Sequence, residues 1–185
     1  RDRLGKVLEK ISNVSISLKS YNNKYGVPLS LLNLKQNDDF GILEIGMDKK
    51  GEIDHLSKII QPDVGVITNI NYAHAKNFKN IKQIALAKSE IIKNIKSGGF
   101  IVLNADDNFF ILHRKIALLK NLKVISFGIK NNKADIKLIN IKKEKKGYLT
   151  KIRFGNKKRY FLLPNDFQSN IYNMLCSICL LYTSP

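Results

Sequence analysis

The chain has 185 residues, 44% of them apolar, enough to bury the core of one ordinary domain with a small appendage and too few for two full domains. A formal net charge of +17 invites a nucleic-acid reading, but lysine outnumbers arginine 27 to 5, the lysines run along the whole chain, and no nucleic-acid-binding motif accompanies them. No uncharged apolar run reaches the roughly 18 residues of a membrane span, and Arg1 to Lys10 lack a signal peptide's apolar stretch. A soluble cytoplasmic protein without membrane insertion is expected, its oligomeric state open.

Leu4, Val7, Leu8 and Ile11 fall at helical spacing, so a helix is predicted over Arg1 to Ile11. Pro28 opens a short helical stretch, Leu29 to Leu34, and the polar Gln36 to Asp39 separates it from Phe40 to Gly46, which reads as a buried strand. Helix and strand then alternate: helix Glu52 to Ile60, strand Val64 to Ile70, helix Ile81 to Ile95, strand Phe100 to Leu103, helix Asn108 to Leu119, strand Lys123 to Phe127. Such alternation implies right-handed βαβ units, and the uncharged strands imply a sheet covered on both faces. After Gly128 the pattern becomes short β segments, Asp135 to Ile141, Tyr148 to Phe154 and Arg159 to Leu163, joined by Lys/Gly and Gly155-Asn156 turns. A final helical pattern covers Ser169 to Leu181. The expected fold is α/β, a doubly wound, mostly parallel sheet over 1–128, with a small antiparallel β subdomain over 129–164 and a returning helix in 165–185.

Cys176 and Cys179 form a C-x-x-C inside the apolar run Met174 to Leu181. With no second pair to complete four zinc ligands, a buried hydrophobic role is the expectation.

Ligands of open parallel sheets sit at the carboxyl ends of strands, which directs attention to three places. Glu44 interrupts an apolar strand and is either a surface carboxylate or a magnesium ligand, since a buried carboxylate needs a partner or a cation. Thr68-Asn69 follows the next strand, with His74 close behind in a loop. Asn104-Ala105-Asp106-Asp107 follows Phe100 to Leu103. His55 and His113 have no comparable setting. Lys88 lies among small and apolar neighbours, Ile84 to Ile91, which suits a snorkelling lysine on an inward helix face. The phosphate-cradling G-x-x-x-x-G-K-[ST] loop is absent.

In order and spacing these residues resemble the Mur ligases, and among them the branch that joins D-alanyl-D-alanine to UDP-N-acetylmuramoyl-tripeptide. The resemblance is carried by Asn22-Asn23-Lys24-Tyr25-Gly26-Val27-Pro28, Glu44-Ile45-Gly46, Gly51-Glu52-Ile53, Pro62, Thr68-Asn69-Ile70, Ala73-His74, Ala87-Lys88-Ser89-Glu90-Ile91 and Asn104-Ala105-Asp106-Asp107. It departs at Ser20 and Ser169, where the family has Asn and His, and at Ala75-Lys76, where it has Leu-Glu.

The resemblance implies a central ATP-binding domain of the P-loop type, with the phosphate loop just upstream of Arg1, and a chain inactive alone. It implies Mg2+ held by Glu44, by His74 and by Lys88 as a carbamate, these three being the catalytic set. Asn22 and Asn23 would meet the substrate, Asn23 also the phosphates, and Asn170 and Asn173 the adenine of ATP. The implied chemistry is an acyl phosphate made from ATP and the tripeptide carboxylate, then attacked by the D-alanyl-D-alanine amine. Another Mur-type ligase, a folylpolyglutamate-type ligase, or a degenerate nucleotide-binding module are the alternatives; the N-N-x-x-G-x-P element and the joint presence of Glu44, His74 and Lys88 argue against them.

Overall fold

The computed structural model describes residues 1–18, 20–72 and 77–183. They fall into two units, one of Arg1–Gly65 with Ile70–Gly99, the other of Val66–Asn69 with Phe100–Pro185. None of the described helices is long and apolar enough to cross a membrane.

In the first unit, α1 (Asp2–Leu8) buries Leu4 and Leu8 and is shorter than its apolar spacing predicts. The chain turns at residues 9–12, with Ile11 and Ser12 donating back to the Leu8 carbonyl, and Ile11 ends up exposed. Gly5 lets this helix lie against β1 (Val14–Ile16), because a Cβ there would sit 2.0 Å from the Ile16 side chain. β1 was not foreseen; it pairs in parallel with β2 (Phe40–Ile42), Val14 opposite Phe40 and Ile16 opposite Ile42. The predicted buried strand through Gly46 is therefore corrected to three residues. Its partner ends at Ile16, and beyond Ile42 the chain runs on as a loop rather than a sheet interior.

Between these strands, α2 (Gly26–Leu32) starts where the Asn23 side-chain oxygen accepts the amides of Tyr25 and Gly26, both at 3.0 Å. Gly26 is required there, since its Cβ would meet the Tyr21 Cα at 2.4 Å. Pro28 sits in the first turn, where its missing N–H costs nothing.

α3 (Glu52–Ile60) occupies the predicted residues and buries Ile53, Leu56 and Ser57. Gln61, left-handed at φ 49°, closes it by donating to the Ser57 carbonyl, and Pro62 prevents continuation. The predicted helix over 81–95 is two: α4 (Ile81–Lys88) and α5 (Glu90–Asn94). Ser89, at ψ −10° with its hydroxyl donating to the Leu86 carbonyl, breaks the regular turn. α4 is capped reciprocally, Asn80 accepting the Gln83 amide while the Gln83 side chain accepts that of Lys79. α5 is stitched to α3 by Asn94, which donates to the Asp54 carbonyl and side chain and to Ser57 Oγ.

The main sheet has the order β3-β4-β5-β6-β7-β8, formed by Val64–Ile67, Phe100–Asn104, Lys123–Gly128, Ile136–Glu144, Gly147–Phe154 and Lys157–Leu163. β4, β5 and β6 pair in parallel and β6 to β8 antiparallel, which is the expected mixed α/β architecture. Ile101, Val102 and Leu103 are all buried in β4, so both of its faces are covered. α6 (Phe110–Leu119) and α7 (Gln168–Thr183) pack on β4 and β5, burying His113, Ala117, Ile171 and Leu175. The antiparallel strands extend this sheet rather than forming a separate one, because the start of β6 pairs with the end of β5 at Phe127 and Gly128.

Gly147, at φ 139°, closes the β6–β7 turn, and a Cβ there would lie 2.3 Å from the Leu163 carbonyl oxygen. Gly147→Ala is expected to cost about 2 kcal/mol through backbone strain and this clash. Thermal unfolding of the variant checks it; an unchanged midpoint would mean that the turn relaxes freely.

Cys176 and Cys179 lie on the buried face of α7. Burial raises both thiols, Cys176 to about 12, so neither is a thiolate at neutral pH and a hydrophobic role fits them.

Candidate functional site

The carboxyl ends of the parallel pair β1–β2 gather one group of sequence candidates. Glu44 lies two residues past β2, with its side chain 52% exposed, so the expectation of a carboxylate embedded in a strand is corrected. Its amide donates to Ser17 Oγ at 3.2 Å, its Oε1 accepts from the Asn22 side chain at 3.4 Å, and its Oε2 lies 3.7 Å from the Arg1 guanidinium. Asn22 is held in turn: its carbonyl accepts the Gly46 amide at 2.6 Å, and Gly46 lies so close that a Cβ would meet the Asn22 side chain at 3.1 Å. The spacing of Glu44 and Gly46 thus has a physical reason, one residue presenting a carboxylate and the other making room for the amide that orients it.

The loop then runs to α3 under carboxylate control. Glu52 accepts the amides of Asp48 and Lys49 at 2.6 and 3.1 Å; these backbone bonds, the Asp48 one foremost, hold its carboxyl below the ordinary value. Glu90, only 5% exposed, accepts the Gly51 amide on both oxygens at 2.9 and 3.0 Å and the Asp54 amide at 3.1 Å. It supplies from another helix the cap that α3 lacks locally, and its charge complements that helix terminus. Lys88, half-buried, ends α4 two residues earlier. No role for Glu90 is legible from its motif; a carboxylate among small and apolar helix residues is the available signal.

His74 lies outside the described residues. Thr68 and Asn69 are exposed just past β3, the threonine hydroxyl donating to the Asn69 side chain at 3.0 Å.

In the second unit the segment after β4 is organised around Asp106. Asn104 accepts the Asp106 amide, and the Asp106 carboxylate accepts three successive amides, Ile129 at 2.5 Å, Lys130 at 2.9 Å and Asn131 at 2.6 Å, and the Tyr172 hydroxyl at 2.9 Å. Successive amides curled round one anion form a nest. Burial alone would raise the Asp106 carboxyl, but the four donors outweigh it and hold it low. Tyr172 is pushed up to about 12, first by burial and then by the adjacent carboxylate. Asp106 thereby anchors α7, which carries Asn170, bonded to the Asn165 side chain, and the exposed Asn173. Neither Asp106 nor Tyr172 had an assigned role in the sequence, because their partners lie 23 to 66 residues away.

Among the described residues no three His, Cys, Asp or Glu side chains gather to hold a metal. Glu44 and Asn22 instead offer one exposed carboxylate and one amide oxygen, a donor set that suits a hard cation taking its remaining ligands from phosphates and water.

Comparison with known proteins identifies the family. Residues 2–181 match the Mur ligase middle domain. A relative from Buchnera aphidicola subsp. Baizongia pistaciae, UDP-N-acetylmuramoyl-tripeptide--D-alanyl-D-alanine ligase, is 32% identical over 177 residues, 96% of this chain and 38% of that protein. The fold is similar to MurF from Acinetobacter baumannii, with a TM-score of 0.88 at 28% identity over 97% of this chain and 39% of the other. It is also similar to MurF ligase from Thermotoga maritima in complex with ADP, at TM-score 0.85 and 26% identity over 97% and 41%. The chain thus spans about two fifths of the length of these relatives. With a match over nearly its whole length, the chain belongs to the Mur ligase family.

Proposed function

We propose that the protein carrying this chain is an ATP-dependent ligase of peptidoglycan precursor synthesis, which joins D-alanyl-D-alanine to UDP-N-acetylmuramoyl-tripeptide through an acyl phosphate. The observation that carries the reading is the cluster at the β1–β2 carboxyl ends, where Asn22 and Ser17 fix Glu44 in an accessible position. The relatives named for this reaction support it. The chain is its central ATP-binding domain, with 1–128 as the α/β body, 129–164 as the antiparallel ribbon and 165–185 as the returning helix, working in the cytoplasm.

In this reading Glu44, His74 and Lys88 as a carbamate hold Mg2+, which when bound neutralises charge on the phosphates. Asn22 keeps Glu44 oriented, and the amides of Asn170 and Asn173 on α7 meet the adenine. Asn23 lies beside Asn22 next to the substrate, its oxygen already committed to capping α2 and its amide N–H groups remaining as donors. The residues' work is positioning and electrostatic stabilisation, which account for most of the acceleration of phosphoryl transfer.

The test is phosphate release by the full-length protein with ATP, Mg2+, UDP-N-acetylmuramoyl-tripeptide and D-alanyl-D-alanine. Glu44→Ala and Lys88→Ala are each expected to lower kcat by about 100-fold or more, the scale of removing one electrostatic stabiliser. Turnover with a free amino acid in place of the dipeptide would move the assignment to a sister ligase, and silence with every acceptor would overturn it.

A further inference from the structure

Between Lys130 and Arg159 stand twelve basic residues against two acidic ones, Asp135 and Glu144. Strand register sorts them by face, since side chains alternate along a strand and paired residues share a side. One face is core: Ile136, Thr150 and Ile152 are fully buried there. On the opposite face Lys137, Arg153 and Lys158 stand directly opposite one another across β6, β7 and β8. Asn140, Lys151 and Tyr160 form the next row, with the Lys151 ammonium 5.5 Å from the exposed Tyr160 ring. Three like charges in one cross-strand row oppose folding. The two acids of the segment are engaged elsewhere, Glu144 by Lys142 at 3.1 Å beside the distal turn and Asp135 by Ser126.

The row borders a concavity. About 350 Å³ opens at the bulge between Leu138 and Asn140, lined by Asn132, Lys137, Leu138, Ile139 and Arg153. Arg153 is braced by donating to the carbonyls of Asn132 and Ala134, and Lys137 by donating to that of Ile129. Both keep further N–H donors, because a guanidinium has five and an ammonium three. Strand spacing of about 4.8 Å sets the three cations along roughly 10 Å, the reach of two linked phosphates.

We propose that this outer face of the ribbon is a binding site for a diphosphate-bearing small molecule, with the diphosphate on Lys137, Arg153 and Lys158. The row is too short, and the aromatic surface too small, for a nucleic-acid track, which needs repeated phosphate contacts and stacked bases. A concavity of this size suits a compact ligand instead.

The test is calorimetric titration of the 185-residue chain with inorganic pyrophosphate, repeated with Arg153→Gln, Lys158→Gln and, as a charge-matched control at the distal turn, Lys145→Gln. Lys158 is exposed, so its variant keeps the fold even if Arg153→Gln does not. Lys158→Gln is expected to weaken binding about tenfold, the worth of one charge-assisted contact, and Lys145→Gln less than twofold. Equal weakening in Lys158→Gln and Lys145→Gln would reduce the site to diffuse charge and overturn the proposal. So would tighter binding of a single-stranded oligonucleotide that pyrophosphate does not displace.

Discussion

Asp106→Ala should lower the stability of the second unit by about 3 kcal/mol, the cost of leaving several donors without their shared acceptor. The carboxylate collects three successive amides and a tyrosine hydroxyl, all of which lose their shared acceptor together. Asn is a poor substitute, since its NH2 would face amide donors where the carboxylate accepts. The pH dependence has a definite sign. The folded state holds the Asp106 carboxyl below its unfolded value, so the stabilisation is fully present above the unfolded carboxylate range, near pH 4, and is lost as the pH falls through the lower, folded value. Chemical denaturation between pH 7 and pH 3 should therefore show wild type losing stability on acidification and converging on Asp106→Ala. Parallel curves with a constant gap would show that the ionised nest is not the source.

Glu90→Ala should destabilise the first unit by about 2 kcal/mol, because it strips the cap from α3 and removes a negative charge from that helix terminus. Glu90→Gln, which retains one acceptor oxygen, should recover part of the loss. The same carboxylate joins the helix following Lys88 to the loop that descends from Glu44, so, on the proposed ligase function, a second effect is expected in the full-length protein. Glu90→Gln should lower kcat more than its melting temperature accounts for, while KM for ATP moves little. A kcat that merely tracks the folded fraction would make Glu90 a structural cap only.

Much of the fold was legible because its signals are local. α3 lies where it was expected, near Glu52 to Ile60, and what shapes it is local: Gly51 at its start, the Ile53 and Leu56 periodicity, and Pro62 beyond its end. β4 announced itself as an uncharged run, and the ribbon by its alternation and turn residues. β1 escaped because three residues carry no pattern of their own and become a strand only through a partner 26 positions away. Phe40 to Gly46 misled for the converse reason: its apolar residues suggested sheet interior, but the strand that would continue the ladder stops short. The candidate site divides the same way. Glu44, Lys88 and the asparagines could be named from order and spacing, whereas the work of Glu90, Asp106 and Tyr172 depends on groups that only the folded chain brings near. Asn23 carries a double message, since its position beside Gly26 also explains it as the cap of α2.

The division of β3 between the two units bears on how the chain can be cut. Residues 66–69 belong with the segment that begins at Phe100, although thirty residues of the other unit intervene. A piece starting at Phe100 would therefore be made without its first strand, leaving one side of β4, an apolar run of Ile101, Val102 and Leu103, as a bare template for strangers. The second unit takes its first strand from residues made before the rest of it, so newly made chains depend on holding that strand in reserve until β4 emerges, and a premature stop near Gly99 strands it without a neighbour.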